Sequence, residues 1–153
     1  MRANNVDTLI KSNISNRDIR TLLERAVKYA AYQTSDIAPM FKRGNETATC
    51  QAIYNFIRSN VKYVPDGFSY QAIKAPPRLV GSFGDCKSMS LLAAGILKNL
   101  GIQPYFRYVS YNNADKTPTH VYVVTKGGCI IDAVDGTTFN TELPYSHQIT
   151  KAV

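Results

Sequence analysis

Three residue types that nucleophilic acyl chemistry needs occur in this sequence in a workable order: a cysteine, then a histidine, then an aspartate. Cys86 follows Gly84-Asp85 and opens a stretch of apolar residues at helical spacing. A helix beginning there places the sulfur among unpaired backbone N–H groups at the positive end of the helix dipole. Such a position favours the thiolate, which is the nucleophile. Asp85 suits the cap, accepting from the backbone of Lys87 or Ser88, and Gly84 lets the chain turn tightly before it. A cysteine at a helix start is, taken alone, more often a buried structural residue, so its partners decide the matter.

A cysteine nucleophile needs a base for its proton and a third group that fixes the imidazole. The chain has only two histidines. His120 begins the strand-like run His120-Val121-Tyr122-Val123-Val124, which can hold a base in place, whereas His147 lies in the Pro144-Tyr145-Ser146-His147 tail and reads as solvated. The third group depends on hairpin register. With the loop Thr125-Lys126-Gly127 and Gly127 left-handed, Val124 pairs with Gly128 and His120 lies opposite Asp132; with the loop Gly127-Gly128, His120 faces Asp135. Because side chains alternate between faces, only one of these carboxylates shares the face of the histidine. Asp135, in Asp135-Gly136, reads as a turn residue, and Asp132, after Ile130-Ile131, ends a buried strand and calls for a partner. The sequence leaves both registers open.

The elements that would hold these residues follow from periodicity. Ile19, Leu22, Leu23, Ala26, Val27 and Ala30 form one helical stripe, predicting a helix from Ser15 to about Gln33 with Ser15 and Asp18 at its cap. Residues 34–45, with Pro39 and Gly44, read as a connector. A second helix is predicted over Glu46 to Asn60, with Cys50, Ile53, Tyr54 and Ile57 on one face. Val61 to Val64 is a short β-prone run ended by Pro65-Asp66-Gly67, and residues 66–85 read as a long ordered loop. The nucleophile helix is predicted from Cys86 to Leu100, closed by Gly101. Tyr105 to Tyr111, His120 to Thr125 and Cys129 to Val134 alternate like strands. Helices first and an antiparallel sheet last is the order of an α+β domain.

Length and composition bound the function. The 153 residues fit one domain with one real core: a helical N-terminal extension (1–45), a core (46–135) and a tail (136–153). The longest apolar run, Leu91 to Leu97, is seven residues, against the roughly 20 that span a bilayer. The start lacks the apolar segment of a secretory signal, so a cytoplasmic, unexported protein with no membrane partner is expected. Three cysteines are an odd number without a CxxC pair, which argues against a disulfide framework or a zinc site. Cys50 and Cys129 are expected in the core. The net charge of +7 raises the question of nucleic acid, but it is spread along the chain without aromatic interleaving. A solvated helix face explains the basic N-terminal helix better.

Together, Gly84-Asp85-Cys86 opening a helix that ends Leu97-Lys98-Asn99-Leu100-Gly101-Ile102, then His120-Val121-Tyr122-Val123, then Ile130-Ile131-Asp132, resemble the transglutaminase-like core of the papain-like cysteine hydrolases. The resemblance covers about residues 48–135. It implies a papain-like fold in which N-terminal helices, with the nucleophile helix among them, pack on a C-terminal antiparallel sheet. It implies Cys86 as nucleophile, His120 as general base and Asp132 as orienting carboxylate; neither a cofactor nor a metal is expected. Tyr63-Val64-Pro65-Asp66 and Gln71 through Pro76-Pro77 resemble the segment that precedes the nucleophile in microbial members and lines its cleft. An oxyanion donor is expected from there, Gln71 first and Tyr63 second. Lys87-Ser88-Met89-Ser90 stands where many bacterial members carry acidic residues, a variant associated with gut bacteria and their phages. The chain has no tryptophan, unlike crosslinking transglutaminases around their acyl tunnel, and no acidic loop with calcium-ligand spacing.

The leading reading is therefore a cysteine peptidase or amidase acting on a peptide or protein substrate through an acyl-enzyme. Acyl transfer to an amine and cleavage of peptidoglycan peptides are variants of the same chemistry, separated by loops whose shape the sequence does not give. A non-catalytic structural or binding module, including a virion-associated one, is the reading from another class.

Overall fold

The computed structural model describes residues 1–2, 8–12, 15–67 and 70–153. Helix α1 (Asn16–Thr34) begins at Ser15, whose hydroxyl accepts from the Asp18 N–H at 3.2 Å. Its stripe Ile19, Leu23, Val27 and Ala30 is buried. Helix α2 (Glu46–Asn60) has the predicted bounds and is capped by Asn45, whose side chain accepts from Ala48 N–H at 2.8 Å. Helix α4 (Cys86–Asn99) is buried almost all round, because α1 and α2 cover it on one side and the sheet on the other. Gly95 permits the close crossing with α1, since a Cβ there would lie 2.8 Å from the Ala30 carbonyl carbon. Asn99 completes the joint by donating to the Ala31 carbonyl at 2.7 Å, an acceptor that α1 leaves open at its end.

The main sheet has the order β7-β6-β5-β8, from β5 (Pro104–Ser110), β6 (His120–Thr125), β7 (Ile130–Ile131) and β8 (His147–Ala152), all antiparallel. Helices followed by an antiparallel sheet is the α+β arrangement expected. The tail is a correction: its residues 147–152 form edge strand β8 against β5 rather than a solvated end. The segment 66–85 is also more structured than a loop. It holds β3 (Tyr70–Lys74), the short helix α3 (Pro76–Leu79) and β4 (Ser82–Gly84). Strand β3 pairs antiparallel with β1 (Thr8–Ser12), and β4 pairs parallel with β2 (Val61–Tyr63). Both pairings are short and non-local.

The β6–β7 hairpin corrects both anticipated registers. Val123 pairs with Ile131 and Val124 with Ile130, so the loop is Lys126-Gly127-Gly128 and the left-handed residue is Gly128, with φ +93. Relative to the Thr125-Lys126-Gly127 loop, this shift moves the pairing by two in sum, so Asp132 keeps the parity of His120 and stands diagonal to it rather than opposite. Strand β7 is shorter than the predicted Cys129 to Val134 because side chains take over from the ladder. Thr137 donates to the Asp132 carbonyl at 2.5 Å and Arg58 to the Ala133 carbonyl at 3.1 Å. No helix among the described residues is long and apolar enough to cross a membrane.

Candidate active site

Cys86 is the first residue of α4 and partly exposed, as the helix-start reading requires. The β2–β4 pairing brings Tyr63 beside Gly84, two residues before the cysteine. A Cβ on Gly84 would come within 2.5 Å of Leu79 Cδ1 and 3.3 Å of Ser88 Cβ, so a larger residue would force Leu79 to shift. Asp85 caps the helix by accepting from the N–H of Lys87 at 3.1 Å and of Ser88 at 3.4 Å. The Lys87 ammonium, which the sequence did not mark as part of the site, bridges Asp85 and Asp66, the latter at 3.3 Å. Burial opposes its charge, but Asp85, Cys86 and Asp66 more than offset this and raise its pKa. Burial also lifts the Asp85 carboxyl, against the pull of Lys87. Asp66 in turn accepts from the Ala72 N–H at 2.6 Å and so anchors the start of β3. The signal was present in sequence as two acids and a lysine, but only the fold brings Asp66 to residue 87.

His120 Nε2 lies 2.8 Å from Asp132 Oδ2, with both side chains nearly buried. Burial works against a charged ring, yet Asp132 and Cys86 outweigh it and hold His120 up at about 10. Asp132 is thus the carboxylate behind the histidine, while Asp135 is an exposed turn residue paired with Arg58 at 2.8 Å. The ring is bracketed by Tyr111, stacked at 6.2 Å between centroids, and by Tyr122 at 5.6 Å. His147 sits at the start of β8 with Nε2 3.4 Å from the Asn113 carbonyl.

Cys86 and His120 line one cavity of about 280 Å³ together with Gln71 and Lys87. Ile19 and Leu23 of α1 form part of its wall, so the N-terminal helix contributes to the cleft and not only to the core. Gln71 directs its amide at the Gly67 carbonyl, 3.3 Å away. Tyr63 is half-buried near Cys86, and burial followed by the charge of Cys86 pushes its phenol up to about 12, leaving it a hydrogen-bond donor. The other two cysteines are buried, as expected.

Residues 35–137 match the family model described as the transglutaminase-like superfamily, a span that includes Cys86, His120 and Asp132. The chain belongs to the transglutaminase-like superfamily. Among solved structures, a candidate protease from Parabacteroides distasonis superposes with a TM-score of 0.50 at 17% identity, over 85% of this chain and 27% of that one. A candidate cysteine protease from Cytophaga hutchinsonii gives a TM-score of 0.40 at 15% identity, over 84% of this chain and 49% of that one. This superfamily member thus spans about a quarter to a half of the length of those proteins. No curated protein matches its sequence.

Proposed function

We propose that this superfamily member is a cysteine hydrolase that cleaves an amide bond, in a peptide or isopeptide, through a Cys86–His120–Asp132 triad. The observation that carries this reading is the 2.8 Å contact of His120 with Asp132, in a ring that also shares a cavity with Cys86. With His120 raised to about 10 by Asp132 and Cys86, its ring rests as imidazolium at neutral pH, a proton donor beside Cys86. The Cys86 sulfur attacks the amide carbonyl carbon, and its own N–H at the α4 start meets the developing oxyanion. Gln71 Nε2 is the first candidate for the second oxyanion donor and Tyr63 Oη the other. His120 gives its proton to the leaving amine as the C–N bond breaks, which leaves a thioester on Cys86. Asp132, bonded at Nε2, keeps Nδ1 for the thiol and leaving group. Water then attacks the thioester while His120 takes its proton, and the acid departs. Water is the favoured acceptor, since the wall of the cleft holds no tryptophan. An amine at the same step would give acyl transfer.

The reading is tested by incubating the full chain with an activated peptide ester and measuring the intact mass after acid quench. An acyl adduct on Cys86, absent in Cys86→Ser and accumulating far more slowly in His120→Ala, is expected. No adduct across a panel of esters, with the protein folded, would leave the fold without the activity.

A further inference from the structure

A second cluster of reactive side chains lies apart from the triad, where the first turn of α2 meets the β6–β7 hairpin. Glu46 and Cys50 are four residues apart on α2 and so share one face of the helix. Cys129 comes from the hairpin, immediately after its Gly127-Gly128 turn. The two sulfurs and a carboxylate oxygen of Glu46 all lie within 4.8 Å of one another. Cys50 and Cys129 are buried, and Glu46 Oε1 is buried with no hydrogen-bond partner. A buried carboxylate oxygen without a partner carries a desolvation cost and calls for an explanation, of which a bound cation is one. The hairpin is built around this carboxylate: a Cβ on Gly127 would fall 2.6 Å from Glu46 Oε2. Thr47 Oγ1 adds a further oxygen 3.5 Å from Cys129 Sγ.

We propose that Glu46, Cys50 and Cys129 form a binding site for a borderline-soft divalent cation, Zn²⁺ first among them. Two sulfurs and one oxygen suit such an ion and not calcium or magnesium, which take oxygen ligands. Zn–S and Zn–O bonds of about 2.3 and 2.0–2.2 Å place tetrahedral donors about 3.3–3.8 Å apart, so only a small contraction of the cluster is required. The fourth position falls to the Thr47 hydroxyl or to water. Binding releases both thiol protons to solvent, leaving a dication held by two thiolates and one carboxylate, with a net charge of −1 at the centre. Because the ion replaces protons at both sulfurs, affinity increases with pH. The bound ion ties α2 to the hairpin three residues before Asp132.

Neither cysteine spacing nor histidine clustering announces this site, because its two halves meet only in the fold. The test is titration of reduced, full-length Cys86→Ser protein, in which the triad thiol is gone, with Co²⁺ as the probe and Zn²⁺ as competitor. Expected are one equivalent bound, a thiolate-to-cobalt charge-transfer band weakened by Cys129→Ser and abolished when Cys50→Ser is added, and affinity roughly tenfold or more weaker in Glu46→Gln. X-ray absorption of the Zn²⁺-loaded Cys86→Ser protein gives the same answer without further variants: two sulfurs at about 2.3 Å. Folded protein with no charge-transfer band, a band unchanged in Cys129→Ser, or a zinc shell of nitrogen and oxygen only would each overturn the proposal.

Discussion

Replacing Asp132 by Asn removes one charge from the triad while keeping its shape, and the size of the effect follows from the contact. The His120 and Asp132 side chains are 10% and 6% exposed and 2.8 Å apart, so solvent screens their attraction little. An opposite charge at such range shifts a pKa by about 1–3. His120 titration should therefore fall from about 10 to roughly 7–9 in Asp132→Asn. The same shift is stability. A ring raised above its ordinary 6.5 stabilises the fold fully below that pH and ceases to do so as pH rises through about 10. At pH 6 the variant should accordingly lose about 1.5–4 kcal/mol, and the difference should shrink towards pH 10. Ring resonances followed by NMR against pH supply the first quantity, with His120 identified by its absence in His120→Gln. Urea unfolding at the two pH values supplies the second. A wild-type His120 titrating near 6.5, a variant titrating unchanged, or an equal stability loss at both pH values would refute the reasoning.

Three further substitutions probe the frame around the triad. Lys87→Met should destabilise by about 3–5 kcal/mol, since it strands Asp85 and Asp66 without their shared cation; a loss below about 1 kcal/mol in denaturant unfolding would show that those charges are solvated. Gly95→Ala, although Ala is the better helix former, should cost roughly 1–3 kcal/mol, because the new methyl meets the Ala30 backbone and α1 must move; a stabilised variant would contradict that crossing. Gln71→Ala should slow acylation of Cys86 by an ester about 10²–10³-fold if Gln71 donates to the oxyanion, and the same loss in Tyr63→Phe instead would move that role to Tyr63.

Local periodicity carried the elements that bear the chemistry. The stripe Cys50, Ile53, Tyr54 and Ile57 gave α2 its bounds, and Asp85 with the apolar run from Met89 gave α4, because each helix is stabilised by signals within itself. The superfamily was legible in the helix start Gly84-Asp85-Cys86 and the strand runs around His120 and Asp132. What stayed hidden depends on contacts far apart in sequence. Strands β3 and β4 exist because β1 and β2 pair with them, and neither has the length or alternation to stand out. The β8 strand, His147–Ala152, is an exposed polar edge with no core pattern to announce it. The hairpin register shifted because two adjacent glycines could each take the left-handed position, and the structure uses Gly128. Lys87 read as a departure from the family pattern, yet its ammonium bridges two carboxylates, Asp85 and Asp66, that only the fold brings together.

The central claim, that Cys86 alone among three thiols is an activated nucleophile, is tested most directly by competitive alkylation. Native protein is treated with iodoacetamide below pH 7 and the three cysteines are quantified by peptide mass spectrometry. Rapid modification of Cys86, far ahead of buried Cys50 and Cys129 and sharply slowed in His120→Ala, is the expected result. Slow and equal modification of all three, or a Cys86 rate indifferent to His120, would contradict it.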